Sequence, residues 1–287
     1  MKKIFLVFIF SSLVFYIFLP GCQIKYVVDI PKDEQDKLGE VYYKKGLDSF
    51  FISKSALEKI EPKNRTRKIH EKRLKGYEEF KIITEKYTKS KYMDIALVSI
   101  ARIEEEYISD YKALMHYKQI EDNFQESKYY FEAYQKVREL RNKFIWEIEE
   151  YIYLKEYNKA LVIINNVKNI LPDFNEAYYY IGIIYEKWGL YQQAIREWKR
   201  LKNNPKAHFL LSIVYYDRKL YNIAIKELVQ AIELDNSNPL YYYNLAIIYE
   251  DIGNKEKSNK THELYLQFAR KNENEKRWVE AVKSSKQ

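Results

Sequence analysis

One cysteine, four histidines and the glutamate runs at 104–106 and 149–150 are residues of this 287-residue chain whose types could do chemistry. Cys22 closes an apolar stretch in Leu19-Pro20-Gly21-Cys22. A thiol can serve as nucleophile, metal ligand, disulfide partner or lipid acceptor, and a lone one has no second cysteine to bridge. His70, His116, His208 and His262 lie far apart in the sequence. None stands in the HExxH spacing that sets two imidazoles over a zinc ion, so surface or groove positions are expected for all four. Glu104-Glu105-Glu106 and Glu149-Glu150 could supply paired carboxylates for acid and base work, but a solvated helix face is the expectation. The 7 glycines form no Walker loop and no dinucleotide turn, so nothing cradles a phosphate. The expectation is no enzyme, no cofactor, no metal and no small-molecule substrate.

The setting of Cys22 points instead to an address. Lys2 and Lys3 are followed by an almost unbroken apolar run from Ile4 to Leu19, too short for a comfortable bilayer span and suited to a secretory leader. The ending resembles the lipobox of bacterial lipoproteins. That resemblance implies a diacylglycerol on the Cys22 thiol, cleavage after Gly21, and Cys22 as the first mature residue, carrying two or three acyl chains such as palmitate. Several chains at about 0.8 kcal/mol per buried CH₂ hold a protein stably on a membrane. Residues 1–21 are therefore expected to be signal peptide, and 22–37, polar around Pro31, a lipid-anchored tether. Gln23 follows the cysteine where an aspartate would favour the inner membrane, which leans toward outer-membrane sorting, facing the periplasm.

Composition bounds the fold. With 7 Gly and 6 Pro among 287 residues, 31% charged and 47% apolar, the chain has few tight turns and long uninterrupted elements, so an all-α fold is expected. The net charge of +8 is interspersed with acids and makes no nucleic-acid stripe.

Self-similarity organises the rest. Tyr151, Tyr185, Tyr215 and Tyr249 lie 34, 30 and 34 residues apart, and Ala160, Ala194 and Ala224 follow the first three by nine. Gly182, Ser212 and Ala246 stand three residues before the last three tyrosines. The pattern resembles the tetratricopeptide (TPR) repeat, which implies antiparallel helix pairs stacked as a right-handed α-solenoid. Apolar spacing agrees: Tyr178, Ile181, Tyr185 and Trp188 make one helical stripe, with Ala194, Ile195, Trp198 and Leu201 on its partner. Neither helix of such a pair can bury both faces alone, so the pairs must stack. Four units are expected at 141–174, 175–204, 205–238 and 239–270. The first is the least regular, since Ile148 stands where a small residue is due.

Upstream the period is 37: Phe80, Ile83, Tyr87, Ser90 and Tyr92 are matched by Tyr117, Ile120, Phe124, Ser127 and Tyr129, with Ala101 and Ala113 between. This is similar to the TPR-like units of outer-membrane barrel-assembly lipoproteins and of periplasmic envelope coordinators. Residues 38–140 are assigned to such repeats, helical from 38 to 60, and 271–287, with Trp278, Val279 and Val282, to a C-terminal capping helix that covers the last apolar face or folds back into the groove.

TPR solenoids bind peptides or helices on the concave surface lined by the first helix of each pair. Carried onto this chain, that implies one row of Tyr179, Phe209 and Tyr243, a second of Ile183, Ile213 and Ile247, and a third of Glu186, Tyr216 and Glu250. Tyr179 and Ile183 stand where carboxylate-clamp members have Lys and Asn, which disfavours an acidic C-terminal tail as ligand. The expected function is a non-enzymatic protein-interaction scaffold, lipid-anchored in a bacterial envelope and serving barrel insertion or cell-wall machinery. The alternative is a surface-displayed lipoprotein that contacts host or environmental ligands.

Overall fold

The computed structural model describes residues 5–7, 14–19, 22–27, 30–50 and 61–269. From Lys32 onward every described element is a helix: α1 (Lys32–Phe50), α2 (Pro62–Lys86), α3 (Met93–Tyr107), α4 (Asp110–Asn123), α5 (Tyr130–Tyr153), α6 (Tyr157–Ile170), α7 (Glu176–Lys187), α8 (Tyr191–Trp198), α9 (Pro205–Asp217), α10 (Tyr221–Leu234), α11 (Pro239–Asp251) and α12 (Lys255–Ala269). Ahead of them β1 (Phe5–Val7), β2 (Val14–Leu19) and β3 (Cys22–Val27) form an antiparallel meander in the order β1-β2-β3, with Leu19 opposite Cys22. The sequence reading gave this segment no strand, although its valines, isoleucines and aromatics suit a pleated sheet. No described helix is long and apolar enough to cross a membrane. The chain divides into two compact units, 1–142 and 143–287. The proposed capping helix at 271–287 and residues 51–60 lie outside the described residues.

In the first unit α1 starts at Lys32, not near residue 38, so the expected tether to residue 37 already contains helix. Pro31 explains the early start: its carbonyl accepts the amides of Glu34 (3.1 Å) and Gln35 (2.9 Å), opening a helix whose first turn carries Asp33 and Glu34. Gly39 and Gly46 let α1 press close, for a Cβ would stand 2.3 Å from the Ser90 hydroxyl oxygen at the first and 2.6 Å from the Phe80 ring at the second. The core beneath is Phe80, Ile83, Tyr87, Ala96, Ile100 and Ile103.

The 37-residue pattern is a repeated turn. After α2, Tyr87 N donates to the Ile83 carbonyl, Ser90 N to Tyr87, and Met93 N to Ser90; after α4, Phe124 N donates to Ile120, Ser127 N to Phe124, and Tyr130 N to Ser127. Each turn is tied by side chains of the helix before the preceding one. Gln35 Oε1 and Asp36 Oδ1 accept the amides of Lys89 (2.9 Å) and Lys91 (2.6 Å), and Asp94 Oδ2 accepts the Ser127 hydroxyl at 2.6 Å.

In the second unit the turn inside each helix pair closes through backbone bonds. Tyr151, Tyr185, Tyr215 and Tyr249, the four spaced tyrosines, each offer a carbonyl to the amide five residues on, at 2.8, 2.8, 2.9 and 2.8 Å. The residue before that amide is left-handed every time: Lys155 (φ 60°), Gly189 (73°), Lys219 (59°) and Gly253 (77°). These are Schellman closures, the commonest use of a left-handed residue at a helix end. Prolines open α9 and α11, and Asn204 and Asn238 cap them by accepting the amides of Ala207 and Leu240, both at 3.1 Å.

Ala160, Ala194 and Ala224 are fully buried. The stripe proposed for α7 needs correction: its buried residues are Ala177, Tyr180, Gly182 and Ile184, whereas Tyr178, Ile181 and Tyr185 are half-buried and Trp188 is exposed. The helix is apolar nearly all round, which leaves the phase of its buried face to its neighbours. On α8 the expected stripe of Ala194, Ile195, Trp198 and Leu201 is buried. Gly182 accommodates the Trp198 indole, since a Cβ there would lie 2.2 Å from its Nε1, and the indole donates to the Tyr179 carbonyl at 3.0 Å.

Candidate functional site

The first helices of successive pairs, α7, α9 and α11, present the proposed rows. Tyr179, Ile183, Phe209, Ile213, Tyr216, Tyr243 and Ile247 are all half-buried: none is lost in the core and none stands free of it. Tyr179, Ile183, Phe209 and Tyr216 rest against one core of Ala194, Trp198, Leu211, Tyr241 and their neighbours. The aromatic row is braced from below. Phe209 lies 5.3 Å from the Tyr241 ring, Tyr179 meets Tyr180 edge-on at 5.2 Å, and Tyr243 leans on Tyr265 at 5.3 Å. Ring pairs in such tilted and edge-on arrangements hold an aromatic surface in place.

The third row is polar. Tyr216 donates its hydroxyl to Asp251 Oδ2 at 2.5 Å, linking α9 to α11. That bond, with burial second, pushes the Tyr216 phenol up to about 12. Glu186 pairs with Lys187 at 3.0 Å, and Glu250 is exposed. On the neighbouring helix α5, Glu149 accepts the Tyr180 hydroxyl at 2.7 Å; burial, and then this carboxylate, push the Tyr180 phenol far above its ordinary value. Burial likewise raises Tyr179. Tyr178 goes the other way: hydrogen bonding from Lys168 and Arg200, whose charged ends sit 4.3 and 4.9 Å from its ring centre, lowers its phenol.

Cys22 opens β3 and pairs with Leu19 at the end of β2. Of the histidines expected at surface or groove positions, His262 is buried, and His116 and His208 are half-buried, His208 Nδ1 lying 2.7 Å from Glu227 Oε2. His262 lies beside Ser258 and near the Tyr243 ring at 6.3 Å, and His116 Nδ1 lies 2.6 Å from Glu104 Oε2. Among the described residues no three metal-binding side chains gather.

Glu104 overturns the reading of its run as a solvated face. It is 1% exposed and accepts the Tyr77 hydroxyl at 3.0 Å as well as contacting His116. Glu105 accepts Tyr117 at 3.1 Å and Lys136 at 2.9 Å, while Glu106 pairs with Arg73. The run fans out to three helices. A signal for this existed: Glu104 sits four after Ile100 and seven after Leu97, on the buried stripe of α3.

Residues 213–253 match the TPR repeat family model. A curated relative, the TPR repeat-containing protein MJ1428 of Methanocaldococcus jannaschii, is 32% identical over 125 residues, 39% of this chain and 21% of the relative. The chain thus spans about a fifth of that relative's length. Solved structures with similar chains include a MamA fragment from Desulfovibrio magneticus RS-1 (15% identity, 63% of this chain and 97% of that one, TM-score 0.39). Another is YrrB, described as a TPR protein with an unusual peptide-binding site (15% identity, 71% and 96%, TM-score 0.40). The stacked helix pairs make an α-solenoid, of which residues 213–253 match the TPR repeat model. That stretch runs from Ile213 on α9 to the left-handed Gly253 after α11.

Proposed function

We propose that this chain is a non-enzymatic scaffold that binds a segment of another protein across α7, α9 and α11. The observation that carries the reading is that all seven proposed residues share one state, half-buried, six of them in two rows at a single helical phase and Tyr216 in the next. A row of braced aromatics beside a row of isoleucines offers apolar area at low ordering cost, which is what a docking face needs. The resemblance of its leader to the lipobox supports an anchor at Cys22, through a diacylglycerol, in a bacterial envelope, with the solenoid serving outer-membrane barrel insertion or cell-wall assembly from the periplasmic face of the outer membrane.

The groove is tested by placing a photo-crosslinking residue at position 209 in cells. Attachment to an envelope assembly protein, lost when a second-row residue such as Ile213 is changed to Glu, is the expected result. Attachment to this chain's own residues 270–287 alone would overturn it. For the anchor, Cys22→Ser should abolish incorporation of labelled palmitate and release the protein from membranes. Unchanged labelling would remove Cys22 from the account.

A further inference from the structure

Resting on the groove reading, we propose that its partner is a basic amphipathic helix: an apolar stripe with lysine or arginine along one flank. The argument is charge placement. In residues 143–269 the first helices of the pairs (143–153 of α5, then α7, α9 and α11) hold three lysines against eight carboxylates, a net −5. The second helices and the turns of the same span hold thirteen basic residues against eight acidic, a net +5. The three helices that carry the rows, α7, α9 and α11, hold two lysines against five carboxylates within a chain whose total is +8.

The acids also stand where the helix itself does not want them. Glu186 lies in the last turn of α7, Asp217 ends α9, and Glu250 and Asp251 end α11, while α9 and α11 have no basic residue in the last turn. A helix C-terminus already carries partial negative charge, and a carboxylate there is locally unfavourable. In α7 Lys187 offsets Glu186, but α9 and α11 both end on carboxylates with no basic residue in the last turn, the pattern of a site kept for binding rather than for folding. The edge alongside the Ile183, Ile213 and Ile247 row is therefore negative, which favours a cationic flank and repels an acidic one.

Dimension admits a helix. Two steps between neighbouring helices, each about 10 Å, give the rows a span of about 20 Å. That length matches about 13 residues of helix, whose apolar stripe repeats every three to four positions.

The test uses the full chain and two synthetic 18-residue amphipathic peptides, identical in their leucine and phenylalanine stripe. One carries lysine on its polar flank and the other glutamate. The lysine peptide should bind roughly tenfold tighter at low salt, the effect of a few screened ion pairs. The gap should close near 1 M salt, where screening shortens to about 3 Å. Glu186→Gln with Glu250→Gln, both on the surface, should shrink the gap without unfolding the chain, and Phe209→Glu should abolish both complexes. Equal binding of the two peptides, lost in Phe209→Glu, would overturn the basic partner and leave the groove standing. Tighter binding of the glutamate peptide, which the overall positive charge would produce unaided, also overturns it, and binding of neither peptide overturns groove and partner together.

Discussion

The two units join helix to helix by opposite means. In the first, turns are held by side chains reaching from an earlier helix, Gln35 and Asp36 to the turn after α2, Asp94 to the turn after α4. Beneath them lies a buried carboxylate, Glu104. In the second, four turns close through backbone amides around a left-handed residue, and among the described residues the buried polar ones, Ser212, Ser258, Thr261 and His262, include no carboxylate. Side-chain ties depend on charge state and specific partners, whereas backbone closures tolerate nearly any sequence that can adopt the turn. The first unit should therefore answer to single polar substitutions, and the second to volume.

The largest effect is expected from volume. Gly182→Ala drives a methyl into the Trp198 indole and breaks its bond to the Tyr179 carbonyl. Overpacking plus the lost bond should cost about 3 kcal/mol, seen as a lower urea midpoint with Trp198 fluorescence shifted toward that of exposed indole. Next, Glu104→Leu strands the Tyr77 hydroxyl and His116 together and should cost about 2 kcal/mol in the same assay. Glu104→Gln, which keeps an acceptor, should cost less. If Glu104→Leu were neutral, the polar character of the first unit would be incidental and the contrast would fall.

Alkaline pH loosens both units. Tyr77 and Tyr117 in the first, Tyr180 and Tyr216 in the second, donate to Glu104, Glu105, Glu149 and Asp251, and all four phenols are raised. A phenol whose folded value lies above its unfolded value of about 10 lends stability that is complete below that pH and is lost as pH rises through the folded value. For Tyr216 the loss falls between about 10 and about 12. A spectrophotometric titration at 295 nm should show one class of tyrosines ionising near pH 10 and a second that ionises only as the helices melt. The smallest effect separates the left-handed sites. Lys155→Gly and Lys219→Gly should each stabilise by up to about 1 kcal/mol, and Gly189→Ala and Gly253→Ala should each destabilise by about as much. Space is not the cause at the two glycines, where nothing lies within 4 Å of an added Cβ.

Much of this was legible in the chain. The spaced tyrosines proved to be the residues whose carbonyls close each turn, and the alanines nine residues on the first three to be fully buried, because repeats reveal themselves by period. Two features resisted for opposite reasons. On α7 almost every residue is apolar, so no stripe stands out, and the buried face is set by its neighbours, through Trp198 of α8 at Gly182 and Glu149 of α5 at Tyr180, rather than by α7 itself. At Glu104 the local run reads as surface, because its partners Tyr77 and His116 lie 27 and 12 residues away and only folding gathers them. The seven proposed residues could be matched by register alone, and all seven are half-buried, whereas the charge difference between first and second helices shows only when charges are added helix by helix.

The Gly182 and Trp198 pair has a consequence for how this chain can change. At the same register the next repeats set Ser212 with Leu228 and Ala246 with His262, all buried, so each hairpin divides its interior volume differently between its two helices. A helix from one hairpin is not a spare part for another. Duplication, deletion or recombination that cuts before Pro205 or Pro239 carries both members of a pair together and preserves their fit. A crossover inside a hairpin would set Trp198 against Ser212 or leave Gly182 facing Leu228. The heritable module is the helix pair, and substitutions at 182 and 198 should be found changing in concert.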